Sequence, residues 1–282
     1  MSDGPLQSLI NGQQAQVISV RDRGFQYGDG CFETIRVIKQ KLILWPDHLK
    51  RLKHACDVLR LATDFDLLQH EITQMVASSE LSSAIVKVII SRGAGGRGYA
   101  PVSAATCTRV LQLFDYVELD KRSGARLTVC DYRLSTNAAL AGIKHLNRLD
   151  QVLASAQIPL GFDEGLCMDQ SGYLIEGCRS NLVLLMGDEL ITPDLSSCGV
   201  EGVMLNYLAR EFAREGNPVT RMKIKPEHLH EASEMFLCNS VFGVWPVAEI
   251  RYSGAELFWP VSERPYCERA LQISNQLTQA RD

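Results

Sequence analysis

Apolar and polar residues alternate with a period of two near the start of the chain, then recur every three to four residues. Phe32 to Ile38 and Lys41 to Leu44 flank Lys39-Gln40 as a β-hairpin, and Leu9-Ile10-Asn11-Gly12 marks an earlier hairpin turn. Pro46-Asp47 opens a helix carrying Leu49, Leu52, Cys56 and Leu59 at helical spacing, and a second helix covers Leu67 to Val76. Strands follow at Ala84 to Ser91 and Arg109 to Tyr116. Glu118 to Gly124 is charged and lacks apolar periodicity, which predicts a linker between an N-terminal domain, 1–117, and a C-terminal domain, 125–282. The second half shows a strand at Leu127 to Cys130, a short loop around Lys144 and a helix ending at Ala156. Beyond these come a hairpin from Gly165 to Glu176, a strand at Leu182 to Leu185, a helix from Val203 and another at Pro226 to Ala232. Strands and helices in this order define an α+β chain without internal repeats.

With 282 residues, 46% of them hydrophobic, the chain is long enough for two ordinary domains with substantial cores. A formal net charge of -4 and no long basic run leave no electrostatic footprint for nucleic acid. The N-terminus around Asp3 lacks a basic stretch and an apolar core, and no apolar run is long enough to span a bilayer, so a cytoplasmic protein is expected. Nine cysteines without a C-x-x-C pair suit reduced thiols better than a disulfide framework or a zinc site, and no metal is expected. Cys56, Cys130 and Cys238 stand in apolar stretches and read as core.

The candidate chemistry starts at Lys144, in a short apolar loop with Ile143, Leu146 and Leu149 directly before a helix. A lysine amine is nucleophilic when deprotonated, and partial desolvation favours that state. Glu176 ends the strand Tyr173-Leu174-Ile175, where a carboxylate can face a buried cationic ring nitrogen. Gly199 to Met204 leads into the helix Leu205 to Phe212, offering free N–H groups and a positive dipole end to a phosphate. Arg51 adds a guanidinium suited to bidentate phosphate contact. Each of these residues alone also fits an ordinary surface or turn position; together they suit pyridoxal 5'-phosphate, which needs an amine, an acid opposite its ring nitrogen and a phosphate cradle. Gly93 to Gly98 satisfies G-x-G-x-x-G, but it runs through Tyr99-Ala100-Pro101 into Val102-Ser103-Ala104 rather than an amphipathic helix, so no dinucleotide site is expected. His228 and His230 lie two apart on a predicted helix and face different sides, which does not make a metal pair.

Five segments occur in the order found in fold-type IV pyridoxal-phosphate enzymes: Arg21 to Thr34, His48 to Leu52, Gly142-Ile143-Lys144, Glu176-Gly177-Cys178 and Gly199 to Met204. The chain resembles that family, which includes branched-chain aminotransferases, D-amino-acid aminotransferases and aminodeoxychorismate lyases. Lys87 to Tyr99 and Ala141 to Leu149 are most similar to the lyase branch. The resemblance implies a two-domain α+β fold with pyridoxal 5'-phosphate at the domain interface, and a homodimer. It also implies Lys144 as the Schiff-base lysine and base, Glu176 as partner of the pyridine nitrogen and Arg51 on the phosphate. Backbone N–H groups of Val203 and Met204, with the Ser240 hydroxyl, complete the phosphate site. Arg92 and Arg97 are implied on substrate carboxylates, and Thr34 as an active-site hydroxyl; His145 receives no role. The activity implied is conversion of 4-amino-4-deoxychorismate to 4-aminobenzoate and pyruvate in folate synthesis. Glu33 departs from the lyase pattern toward that of the aminotransferases, so an aminotransferase for D- or branched-chain amino acids stays open, as does a pyridoxal-binding protein without turnover.

Overall fold

The computed structural model describes residues 4–101, 106–260 and 264–279. Asp3 and the segment Val102 to Ala104 lie outside them. The chain divides into two compact units, Met1–Val117 with Ile143–Asn147, and Glu118–Gly142 with Arg148–Asp282.

In the first unit the strands β1 (Gln7–Ile10), β2 (Gln13–Gln14), β3 (Gly30–Ile38), β4 (Lys41–Leu42), β5 (Ser83–Ser91) and β6 (Thr108–Asp115) form a six-stranded sheet, ordered β2-β1-β6-β5-β3-β4. Every pairing in it is antiparallel. Three helices accompany it: α1 (Arg23–Tyr27), α2 (Trp45–Leu59) and α3 (Phe65–Ala77). Alternation decides which face of the sheet is covered. Cys31, Glu33, Ile35 and Val37 of β3 and Ala84, Val86, Val88 and Ile90 of β5 are buried, whereas Phe32, Thr34 and Lys87 are only half-buried. α2 contributes His48, Leu52, Ala55 and Cys56 to the core, and α3 contributes Leu68, Ile72, Met75 and Val76. Asp64 caps α3 by accepting from the Asp66 and Leu67 N–H groups, so the helix starts at Phe65, two residues before its apolar pattern.

The second unit is built on β7 (Ala125–Leu134), β8 (Glu164–Asp169), β9 (Leu174–Gly177), β10 (Asn181–Met186), β11 (Glu189–Pro193), β12 (Val219–Met222), β13 (Ala232–Asn239), β14 (Gly243–Tyr252) and β15 (Ala255–Phe258). The nine strands are ordered β12-β11-β10-β13-β14-β7-β8-β9, with β15 paired to β14. This sheet is mixed: β11 with β12, β14 with β7 and β7 with β8 run parallel. The helices are α4 (Leu149–Ser155), α5 (Val203–Arg214) and α6 (Pro265–Gln276). A core of Leu127, Leu166, Leu184, Met235, Leu237 and Trp245, among others, fills the unit.

Two expectations change. The predicted helix Pro226 to Ala232 is a 3₁₀ helix, Pro226–Glu231, that passes directly into β13; only Pro226 and Leu229 are buried, too few to anchor an α-helical face. The segment Ile143–Asn147, expected with the C-terminal half, groups with the first unit because its backbone pairs with β3. Between β5 and β6 the described residues contain no helix. No helix among the described residues is long and apolar enough to cross a membrane.

Candidate active site

Lys144 is held by strand-like pairing with the start of β3. The Phe32 N–H donates to the Lys144 carbonyl at 2.9 Å, and the Leu146 N–H donates to the Gly30 carbonyl at 2.9 Å. His145 thereby stands opposite Cys31 in an isolated antiparallel bridge. Gly30 is required here, since a Cβ at that position would lie 2.7 Å from Leu146 Cδ1 and closer still to the Ile90 carbonyl. Ile143 is fully buried and Lys144 half-buried, which anchors the backbone while leaving the amine reachable. Lys144 Nζ lies 4.6 Å from the centre of the Phe32 ring. Thr34, two residues along β3, occupies the same half-buried face as Phe32.

Glu33 points to the opposite face of β3, into the core. A buried carboxylate is tolerated only when paired, and α2 supplies both partners. His48 Nδ1 donates to Glu33 Oε2 at 2.6 Å, while Arg51 forms a two-pronged contact, Nε to Oε1 at 2.7 Å and Nη2 to Oε2 at 2.6 Å. Burial alone would push the Glu33 carboxyl up, but the Arg51 guanidinium and then His48 outweigh it and hold the carboxyl down at about 2. Glu33 therefore orients Arg51, and its departure from the lyase pattern sits on the face away from Phe32 and Thr34. His48 received no role from the sequence, although its i, i+3 spacing to Arg51 puts both on one helix face. Its Nε2 is buried and has no hydrogen-bond partner among the described residues.

Arg92 is engaged within the protein. Its Nε and Nη2 grip Asp29 at 2.7 and 2.9 Å, Nη2 also donates to the Leu59 carbonyl and Nη1 to the Arg60 carbonyl. Where the resemblance implies a substrate carboxylate, the structure has the Asp29 carboxylate and the C-terminal carbonyls of α2. Asp29 also accepts from Arg23 Nε, whose other nitrogens hold the Gly98 and Tyr99 carbonyls. Arg23, Asp29 and Arg92 thus pin the glycine-rich loop from below. Arg97, within that loop, is exposed. Asp29 and Arg23 carry no local signal in the sequence, because their partners are as many as 76 residues away.

In the second unit Glu176 is the penultimate residue of β9, with 5% exposure. The Val200 N–H donates to its Oε2 at 2.8 Å, and Gln151 Nε2 approaches Oε1 at 3.4 Å. The loop that bears Val200 is tied again by Asn181, whose Nδ2 donates to the Val200 carbonyl at 3.0 Å. Asn181 pairs with Cys238 across β10 and β13, so the loop is held beside the strand that continues into Ser240. Gly202 follows as the N-cap of α5 without any side-chain cap, which leaves the first-turn N–H groups of Val203 and Met204 to an outside acceptor. A Cβ at Gly202 would overlap Asn181 Oδ1. Gln151 and Asn181 are the residues the sequence misses in this unit. His228 and His230 are exposed on the 3₁₀ helix, with His230 Nδ1 directed at the Glu227 carbonyl.

The first unit carries a reachable amine and a guanidinium, and the second carries a fixed buried carboxylate and an uncapped helix start opened by a glycine, each a group type that a phosphorylated pyridine aldehyde requires. An antiparallel six-stranded unit and a mixed nine-stranded unit carrying these groups define a fold-type IV enzyme. The chain belongs to the amino-transferase class IV family, whose pattern matches residues 30–250. It is 33% identical over 260 residues to an aminodeoxychorismate lyase of Vibrio harveyi, covering 90% of this chain and 95% of that one. It is 28% identical over 239 residues to a putative branched-chain-amino-acid aminotransferase of Methanocaldococcus jannaschii, covering 83% and 82%. Among solved structures it resembles the 4-amino-4-deoxychorismate lyase of Pseudomonas aeruginosa, with 38% identity, a TM-score of 0.87 and coverage of 97% and 98%.

Proposed function

We propose that this chain is a pyridoxal 5'-phosphate-dependent lyase that converts 4-amino-4-deoxychorismate to 4-aminobenzoate and pyruvate in folate synthesis. The observation that carries the reading is the clamped, half-buried Lys144, set in a chain that matches lyases along nearly their whole length. Arg51, the N–H groups of Val203 and Met204, and the Ser240 hydroxyl would hold the cofactor phosphate, and the Glu176 carboxylate would pair with the ring nitrogen. When bound, the cofactor supplies an aldehyde that links to amines and a ring that takes up electron density.

Lys144 Nζ removes the proton from C4 of the substrate. The bond from C3 to the enolpyruvyl oxygen then breaks, the six-membered ring becomes aromatic, and the proton on Lys144 passes to the departing enolpyruvate to give pyruvate. No oxidant or second substrate is needed. The Glu176 carboxylate would favour the protonated form of the ring nitrogen. Thr34 presents a hydroxyl on the substrate side of β3, and Arg97 attracts a substrate carboxylate, with Arg92 positioning the loop from its base.

The enzyme is further proposed to be a cytoplasmic homodimer. Its nine cysteines are free thiols, in keeping with a reducing compartment. Val17, Val20 and Phe25 of the first unit are 83%, 74% and 70% exposed beside a groove lined by Ile10, Ile18, Val110 and Leu146, an apolar surface suited to a second copy.

Incubation of the purified holoprotein with 4-amino-4-deoxychorismate, without a keto acid, tests the reading. Equal catalytic release of pyruvate and 4-aminobenzoate is expected. The similarity to an aminotransferase defines the opposing result: no release, with the cofactor converted to its amine form by a D- or branched-chain amino acid and restored by a keto acid. Cofactor binding with neither reaction would identify a protein without turnover.

A further inference from the structure

Three cysteines converge in the second unit beside Glu176, Cys167 pairing with it across β8 and β9 and Cys178 following it by two residues. The sulfurs of Cys130 on β7, Cys167 on β8 and Cys178, directly after β9, all lie within 4.8 Å of one another. Cys167 and Cys178 are 3.8 Å apart, sulfur to sulfur. Metal–sulfur bonds of ~2.3 Å in a tetrahedral site hold their sulfurs about 3.8 Å apart, so Cys167 and Cys178 already stand at the spacing of a shared ion, with Cys130 within 4.8 Å of both. Covalent pairing requires ~2.05 Å, a separation the thiols do not approach.

The surroundings are organised around the sulfurs. Gly165 faces them, and a Cβ there would lie 2.5 Å from Cys130 Sγ and 3.3 Å from Cys178 Sγ. The Cys178 N–H donates to the Gly165 carbonyl at 2.9 Å, fixing the third sulfur against β8. The Cys130 thiol donates to the Ala154 carbonyl of α4 at 3.4 Å, which closes one side. Cys130 and Cys167 are 1% and 0% exposed, and Cys178 is the one cysteine of the chain that is not buried, so it provides the entry.

We propose that Cys130, Cys167 and Cys178 form a binding site for a single soft, thiophilic d10 metal ion, with a solvent molecule at its fourth position. Three metal–sulfur bonds form, each thiol proton goes to solvent, and no electron is transferred. Thiolate sulfur selects Zn2+ or Cu+ class ions over the hard oxygen-seeking cations. The ion ties β7, β8 and the chain leaving β9 together. The sequence conceals the site because the ligands are 37 and 11 residues apart, from 130 to 167 and from 167 to 178, outside any zinc-motif spacing.

The test is titration of the fully reduced holoenzyme with Cd2+ under nitrogen, following the thiolate-to-metal charge-transfer band in the ultraviolet. One equivalent per chain is expected to saturate the band, raise the melting temperature and protect the Cys178 thiol from alkylation, all reversed by chelator. Cys178→Ser, at the half-exposed position where folding is least at risk, is expected to weaken binding by about a hundredfold or more, since loss of mere supporting contacts around metals costs ~10–100-fold. Cys198→Ser is expected to change nothing. Absence of a one-equivalent band, or an unchanged band in a folded Cys178→Ser protein, would overturn the site. Thiols that stay lost after chelation have paired as a disulfide, which overturns it too. None of these readouts depends on the lyase activity.

Discussion

At the scale of single residues, two side chains carry most of the proposed site in the first unit, and they differ in how openly the sequence displays them. Lys144 stands out through its apolar neighbours and its place in the ordered family segments. Lys144→Ala is expected to abolish the absorption band of the lysine-linked cofactor and lower turnover by roughly a thousandfold or more, the scale of a lost general base; an unchanged band would remove the assignment. Glu33 reads in the sequence as a departure in substrate choice, yet strand alternation turns it into the core, where it orients Arg51. A carboxyl held at about 2, against about 4.3 unfolded, contributes stability that is complete above about pH 4.3 and lost as pH falls through about 2. Glu33→Gln should therefore cost about 3 kcal/mol at neutral pH, with the gap to the parent narrowing as pH drops below about 4. Urea midpoints measured across that range check it, and a gap independent of pH would show that packing, not charge pairing, is what Glu33 supplies. Cofactor affinity should fall in the same variant, because Arg51 loses its positioning partner.

Among elements, periodicity exposes those with one buried face and hides those whose placement depends on distant partners. The apolar spacing of α2 and α3 and the alternation of β3 and β5 make these segments readable, since each buries a regular subset of its residues. The run of β8, buried at all six positions, offers no alternation at all. The edge strand β12, exposed at three of its four positions, and the short β15 are set by pairing to β11 and β14 rather than by any pattern of their own. α5 joins both kinds of information. Its amphipathic spacing is plain, but the need for glycine at its N-cap comes from Asn181, more than twenty residues earlier. Gly202→Ala must displace the Asn181 side chain and break its bond to the Val200 carbonyl. Overpacking of this kind costs ~1–3 kcal/mol, and the same shift disturbs the N–H groups of Val203 and Met204. A lower melting temperature together with cofactor binding weakened by about tenfold is expected by thermal denaturation and fluorescence titration. Lower stability with cofactor affinity unchanged would remove the phosphate assignment from this turn.

On the scale of the whole molecule, pairing rather than sequence position decides where a segment belongs: Ile143–Asn147 joins β3 although the chain on both sides of it belongs to the second unit. A boundary drawn from composition cannot express such a crossing, because nothing in the five residues announces a partner more than a hundred positions earlier. The exposed apolar side chains raise the next level of organisation. Phe25 lies on α1, a helix of only five residues, and is 70% exposed while its neighbour Arg23 is buried and hydrogen-bonded. Keeping Phe25, Val20 and Val17 in water has an unfavourable hydration cost, of ~25 cal/mol for each Å² of apolar surface. A second copy removes that cost without asking the fold to change. Phe25→Glu places a charge in the proposed contact while leaving the partly buried Arg23–Asp29 pair untouched. It is expected to convert a dimer to a monomer in sedimentation velocity at micromolar concentration, with the circular dichroism spectrum of the parent. A parent protein that sediments as a monomer, or a Phe25→Glu protein that remains a dimer, would assign this apolar face to something other than self-association.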